Sequence, residues 1–143
     1  KFVTHDILTC GAQYIAHQCN CISRTARGLA ASIFAKYPHT DTYSFPRGKK
    51  CRVPGTIEAF EPATETDPGV INCYAQCKPG RHDSPVKQGK GQSRTDTLDT
   101  AEKRVDWFTK CLGEITKIPG ITSVAFPHGI GCDLAGGDWP TYQ

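Results

Sequence analysis

Two apolar runs, Val70-Ile71-Asn72-Cys73-Tyr74-Ala75 and residues 121–126, constrain this chain more than anything else in it. Neither alternates cleanly between polar and apolar, as a strand with one wet face does. Each is written to be covered on both sides. Between them Leu98, Ala101, Val105, Phe108, Leu112 and Ile115 recur every three or four residues, the spacing of one helix face. A buried strand, an amphipathic helix and a second buried strand make an α/β layered domain, with helices packed on a mixed sheet. Length permits it, since 143 residues suffice for one domain with a sizeable core.

The rest of the chain supplies further elements. Residues 2–8 read as a short strand and residues 14–19 as another. A polar loop covers 20–27. Leu29, Ile33, Phe34 and Tyr37 then carry helical spacing over 28–37, and Pro38 ends it. Residues 39–54 are irregular and basic, with Arg47, Lys49, Lys50 and Arg52, and leave room for a helical turn around Tyr43. Residues 56–60 alternate as a strand, and Asp67-Pro68-Gly69 is a turn. Residues 78–94 are glycine-rich, basic and aperiodic, which is a loop. It reads as a solvated surface, or as a flap over a polyanion or an RNA contact. Thr95 or Asp96 caps the long helix, which runs to about residue 117 before Pro119-Gly120. Asp138-Trp139-Pro140 opens one more helix.

Composition narrows the setting. The formal net charge is +3, which suits an anionic small ligand without requiring nucleic acid. No stretch has the apolar length of a membrane span, and no basic start leads into a short apolar core. Eight cysteines need an account. Cys73 and Cys111 sit inside apolar runs, where cysteine behaves as a small hydrophobe, so the set reads as reduced thiols of an intracellular protein. The Cys19-x-Cys21 and Cys73-x3-Cys77 spacings are not those of a zinc site, and neither metal nor cofactor is called for.

The chemistry concentrates in two loops. The run Ser123-Val124-Ala125-Phe126 stops at Pro127, and His128-Gly129-Ile130-Gly131-Cys132-Asp133 follows at once. Glycine lets backbone N–H groups wrap an anion with no Cβ in the way, so a buried strand emptying into such a turn is a candidate phosphate cradle. The first loop has the same logic. His17-Gln18-Cys19-Asn20-Cys21 ends a strand, and Gly28-Leu29-Ala30 opens a helix whose N-terminus favours anions. In α/β sheets ligands bind beyond the carboxyl ends of central strands, where both loops fall.

With those residues in view, the chain resembles a macro domain, the ADP-ribose-binding module, over nearly its whole length. Thr4-His5-Asp6-Ile7-Leu8, residues 15–38, residues 70–76 and residues 125–139 carry the likeness. The stretch from Ala16 through Asn20 to Gly28-Leu29-Ala30 and Lys36-Tyr37-Pro38 looks most like the branch containing the yeast-type ADP-ribose-1″-phosphate phosphatase. The resemblance implies a three-layer α/β/α sandwich. It implies that Asp6 accepts from the adenine amino group with Ile7 against the ring, and that Asn20 meets the distal ribose. It places Gly28, Leu29 and Ala30 on the diphosphate from one side, and Gly129, Ile130, Gly131 and Cys132 from the other. Such domains usually close with a full helix after the Asp-Trp pair. Residues 138–143 supply only its first turn, so the natural chain is expected to continue.

Departures from the family pattern bear on catalysis. Ala30 stands where the hydrolase branch has an aspartate, Ser23-Arg24-Thr25-Ala26-Arg27 replaces its glycine run, and Ala135 falls where another branch has its catalytic aspartate. His17, His128, Asp133 and Asp138 are the groups available for turnover: a histidine as nucleophile or general acid, an aspartate to orient water or the histidine. Each also has a structural reading. His17 suits a core histidine with a satisfied ring, Asn20 a turn cap, Asp6 a strand-end turn residue, and Asp133 and Asp138 helix-start acids. Cys132 suits packing or a thiolate. Three functions follow: a phosphatase acting on ADP-ribose-1″-phosphate, a reader of free or macromolecule-linked ADP-ribose without turnover, and a hydrolase removing ADP-ribose from protein or nucleic acid. A monomer is expected.

Overall fold

In the computed structural model, residues 1–44, 52–83 and 99–143 are described. The strands β1 (Tyr14–Asn20), β2 (Ile57–Phe60), β3 (Gly69–Gln76) and β4 (Val124–Ala125) form one sheet in the order β2-β3-β1-β4. β1 runs parallel to both β3 and β4, and β2 is antiparallel to β3. Every residue of β3 is buried, as a central strand covered on both faces must be.

Helices cover the two faces. Ile15, Cys19, Val70 and Tyr74 pack with Ile33 and Phe34 of α1 (Gly28–Lys36) on one side. Tyr14, Ala16, Ile71 and Cys73 pack with Cys111 and Ile115 of α2 (Ala101–Ile115) on the other. The result is the α/β layering expected from the apolar runs, in the three-layer α/β/α form that the resemblance implies. A last helical turn, α3 (Trp139–Tyr142), sets Tyr142 against Phe108 of α2.

Three boundaries differ from expectation, each for a local reason. Residues 2–8 form no strand. Phe2 and Val3 are 73% and 61% exposed, and Ile7–Thr9 curls into a 3-10 turn because the Asp6 carboxylate accepts from the Leu8 N–H at 2.9 Å. That side-chain bond competes with a strand ladder. β4 is only two residues long, because Gln13 occupies the chain just before it: its Oε1 accepts from the Thr122 N–H at 2.7 Å, and its own N–H donates to Ser123 Oγ at 2.9 Å. The long helix starts at Ala101, where the Thr100 side chain accepts from the Lys103 N–H at 3.2 Å. The earlier cap sites Thr95 and Asp96, and Leu98, lie outside the described residues, as do Arg47, Lys49, Lys50 and most of the basic loop.

No disulfide joins the seven described cysteines, and among the described residues no cluster of three or more His, Cys, Asp or Glu could hold a metal. No described helix is long and apolar enough to cross a membrane.

Candidate functional site

β1, β3 and β4 are parallel, so their carboxyl ends at Asn20, Gln76 and Ala125 open on one edge of the sheet. A cleft of about 590 Å³ lies there. His17, Asn20, Gly28, Leu29 and Ala30 line it from the β1 side. His128, Gly129, Ile130, Gly131, Cys132 and Asp133 line it from the β4 side. The two loops thus face each other across one space. Asp6, Ile7 and Asp138 are not in the lining. Asp6 caps its own 3-10 turn, and the Asp138 carboxylate accepts from the Thr141 hydroxyl at 2.8 Å.

The first loop is held by Asn20. Its Oδ1 accepts from the N–H groups of Ile22 and Ser23, at 3.1 and 2.7 Å, and its Nδ2 donates to the Tyr43 hydroxyl at 3.1 Å. Asn20 therefore does what its turn-cap reading says, and its oxygen is already occupied. Arg52 locks the same loop from behind, donating to the carbonyls of Asn20 and Ser23 at 3.1 and 2.6 Å while its guanidinium lies 4.8 Å from the Tyr43 ring centre. Beyond the loop, Arg27 is the N-cap of α1 and provides no side-chain hydrogen bond to it. Gly28, Leu29 and Ala30, whose N–H groups begin the helix without a side-chain cap, line the cleft and bring the positive end of the helix dipole to it.

The second loop is a chain of tight turns. The N–H of Ile130 donates to Pro127 O at 3.2 Å, and that of Cys132 to Gly129 O at 2.9 Å. Expected as donors to a ligand, these two are engaged within the loop. Those of Gly129 and Gly131 have no hydrogen bond among the described residues. Glycine at 131 is dictated twice. Its φ is +77°, and a Cβ there would stand 2.6 Å from Tyr142 and 2.9 Å from Gln18 Oε1. The loops meet at Gly28, with φ +57°, where an added Cβ would lie 3.4 Å from Leu134. Leu134 is 67% exposed at the rim.

His17 forms part of the floor and is 2% exposed. Asn72 donates from Nδ2 to Thr40 O at 2.9 Å, so its Oδ1 must accept, and His17 Nε2–H donates to it at 2.7 Å. Burial lowers the His17 pKa to about 4, against a smaller upward pull from Asn72. The ring is a neutral, satisfied core group at neutral pH. Cys132 is half-buried, and burial, then Asp133 and Asp138, push its thiol up, away from thiolate chemistry. His128 and Asp133 are exposed groups in the lining, and the His128 ring lies 4.8 Å from that of Trp139.

Several contributors carry no local sequence signal. Gln18 and Gln76 both line the cleft, and Gln18 Nε2 donates to Gln76 Oε1. Gln76 Nε2 in turn donates to Lys78 O at 3.0 Å, and Gln18 Oε1 is buried with no hydrogen-bond partner among the described residues. Gln76 is the register partner of Asn20, and only strand pairing reveals that. Tyr43 is a wall of the cleft, although residues around it read only as a possible turn.

No protein-family model matches the chain, and no curated protein matches it by sequence. Among solved structures it is similar to the macrodomain of Mycobacterium tuberculosis DarG. The two are 19% identical with a TM-score of 0.69, over 98% of this chain and 82% of that one. The chain has the macrodomain fold.

Proposed function

We propose that the cleft binds ADP-ribose, with its diphosphate between the two glycine loops. The carrying observation is the pair of anion-ready backbone segments across one cleft: the uncapped first turn of α1 on one side, and the N–H groups of Gly129 and Gly131 on the other. The macrodomain fold supports the ligand class. The reading assigns the diphosphate and the distal ribose. Asp6 and Ile7 are not among the residues lining this cleft, and the adenine contact the resemblance implies for them is proposed beyond that lining. Calorimetry with ADP-ribose tests the reading directly, and absence of binding at millimolar ligand overturns it.

For turnover, the reaction we propose is phosphomonoester hydrolysis of ADP-ribose-1″-phosphate. Water attacks phosphorus, the bond from phosphorus to the sugar oxygen breaks, Asp133 takes the water proton and His128 protonates the departing oxygen. His17 is poorly suited to that acid role, since its Nε2 proton is committed to Asn72 and its ring is neutral. Phosphate release from ADP-ribose-1″-phosphate, lost in His128→Ala and Asp133→Asn, is the expected result. A specific observation favours the second reading, a reader without turnover: of the four candidate catalytic groups, one is a buried neutral imidazole and another, Asp138, lies off the cleft. Binding without phosphate release selects it.

A further inference from the structure

Arg104 of α2 is 2% exposed, and five hydrogen bonds account for its guanidinium. Nε donates to Asp99 Oδ1 at 2.5 Å, and Nη2 to Asp99 Oδ2 at 2.9 Å and Lys78 O at 3.4 Å. Nη1 donates to Gly80 O at 2.8 Å and to Ala135 O at 3.0 Å. Asp99 Oδ2 also accepts from the N–H groups of Cys77 and Lys78, at 3.1 and 3.0 Å. One ion pair therefore gathers the loop after β3 and the end of the second glycine loop. Pro79, Gly80 and Ala135 all line the cleft, and Arg104 does not.

An apolar side chain would fill this volume without desolvating two charges, so packing alone does not explain an ion pair here. The guanidinium offers what an apolar group cannot: a rigid planar fork that fixes the separation of the three carbonyls it holds, those of Lys78, Gly80 and Ala135. We propose that Arg104 is a positioning residue, which keeps the loop after β3 and the second glycine loop in register so that ligand affinity depends on a side chain behind the cleft. The affinity part rests on reading the cleft as the ADP-ribose site. Lysine keeps the charge but donates from a single point, and cannot serve Asp99, Gly80 and Ala135 together.

The test compares the full chain with Arg104→Lys, using calorimetry with ADP-ribose, urea unfolding and amide hydrogen exchange. Thr100→Ala is the control, because it weakens the same helix while touching neither loop. Arg104→Lys is expected to unfold cooperatively, to bind ADP-ribose about tenfold or more weakly, and to exchange faster at the Lys78 and Gly136 amides together, with β1 unchanged. Thr100→Ala is expected to keep wild-type affinity. A folded Arg104→Lys protein binding within about twofold of wild type overturns the proposal, as does exchange that changes at only one of the two loops or at neither. Should Arg104→Lys fail to fold, the wild-type Arg104 Nε–H resonance decides. It shifts on saturation with ADP-ribose if the proposal holds, and an unmoved signal overturns it. If wild type binds no ADP-ribose, the ligand reading falls by itself, and the exchange result alone decides whether Arg104 couples the loops.

Discussion

Protonating His17 means charging a ring buried under Phe34, which is why its pKa lies near 4 even though the bond to Asn72 pulls it upward. In the unfolded chain the ring titrates near pH 6.5. Between those values the unfolded state binds the proton that the folded state refuses. The stabilising share is therefore fully present above about pH 6.5, is lost as pH falls towards 4, and levels out below it. It amounts to about 3 kcal/mol at most. Urea unfolding from pH 7 to pH 4 should show a steeper loss for wild type than for His17→Gln, which keeps a donor for Asn72 but does not titrate. Equal slopes would place the proton elsewhere. Gly131 makes a second point at this scale. Alanine there must adopt a left-handed φ, at about 1–2 kcal/mol, and must also displace Tyr142, which a Cβ would approach to 2.6 Å. Gly11 has a similar φ of +75° with nothing within 4 Å, so Gly11→Ala isolates the backbone cost. Gly131→Ala should lose more stability than Gly11→Ala in chemical unfolding, and it alone should lose ADP-ribose affinity.

The α2 helix begins where Thr100 caps it, and Thr100→Ala should cost about 1 kcal/mol in urea unfolding. A loss near zero would mean that the helix is anchored upstream. That boundary shows what kind of information the sequence holds at the level of elements. The unbroken apolar runs of β1 and β3 and the helical spacing of α2 were legible because burial writes them within a short stretch of chain, although Leu112 of the expected α2 face is 36% exposed while Arg104 and Cys111 are buried. The cap was not, since several polar residues before α2 could serve. Residues 2–8 carry a strand's apolar residues, yet Asp6 captures the Leu8 N–H and turns the chain, a local bond that wins over a weak pattern. The site divides in the same way. Both cleft loops were legible, since Gly28, Gly129 and Gly131 mark backbone that needs positive φ. The network behind them was not. Asn20 bonding Tyr43, Asn72 bonding His17 and Arg104 bonding Ala135 join residues that only the folded sheet brings together, and no spacing rule encodes them.

Binding acts on the molecule as a unit, because a ligand held only by the folded state shifts the whole unfolding equilibrium. If the cleft holds ADP-ribose, ligand at about a hundred times Kd should add about 2.7 kcal/mol to the unfolding free energy. For a chain of this size that is a rise in Tm of roughly 5–10 °C. Such a shift reports binding but not place, since any site on the folded chain would produce it. Cys132 supplies the place. It lines the cleft and is partly accessible, with its thiol pushed up by burial and by Asp133 and Asp138, so a thiol reagent should label it slowly at neutral pH and faster as pH rises. With Cys132→Ser to identify the labelled position, ADP-ribose should slow modification of Cys132 in proportion to occupancy. A raised Tm together with an unchanged Cys132 rate would put the ligand outside this cleft. The two loops would then be a connection between strand and helix rather than a clamp on a diphosphate.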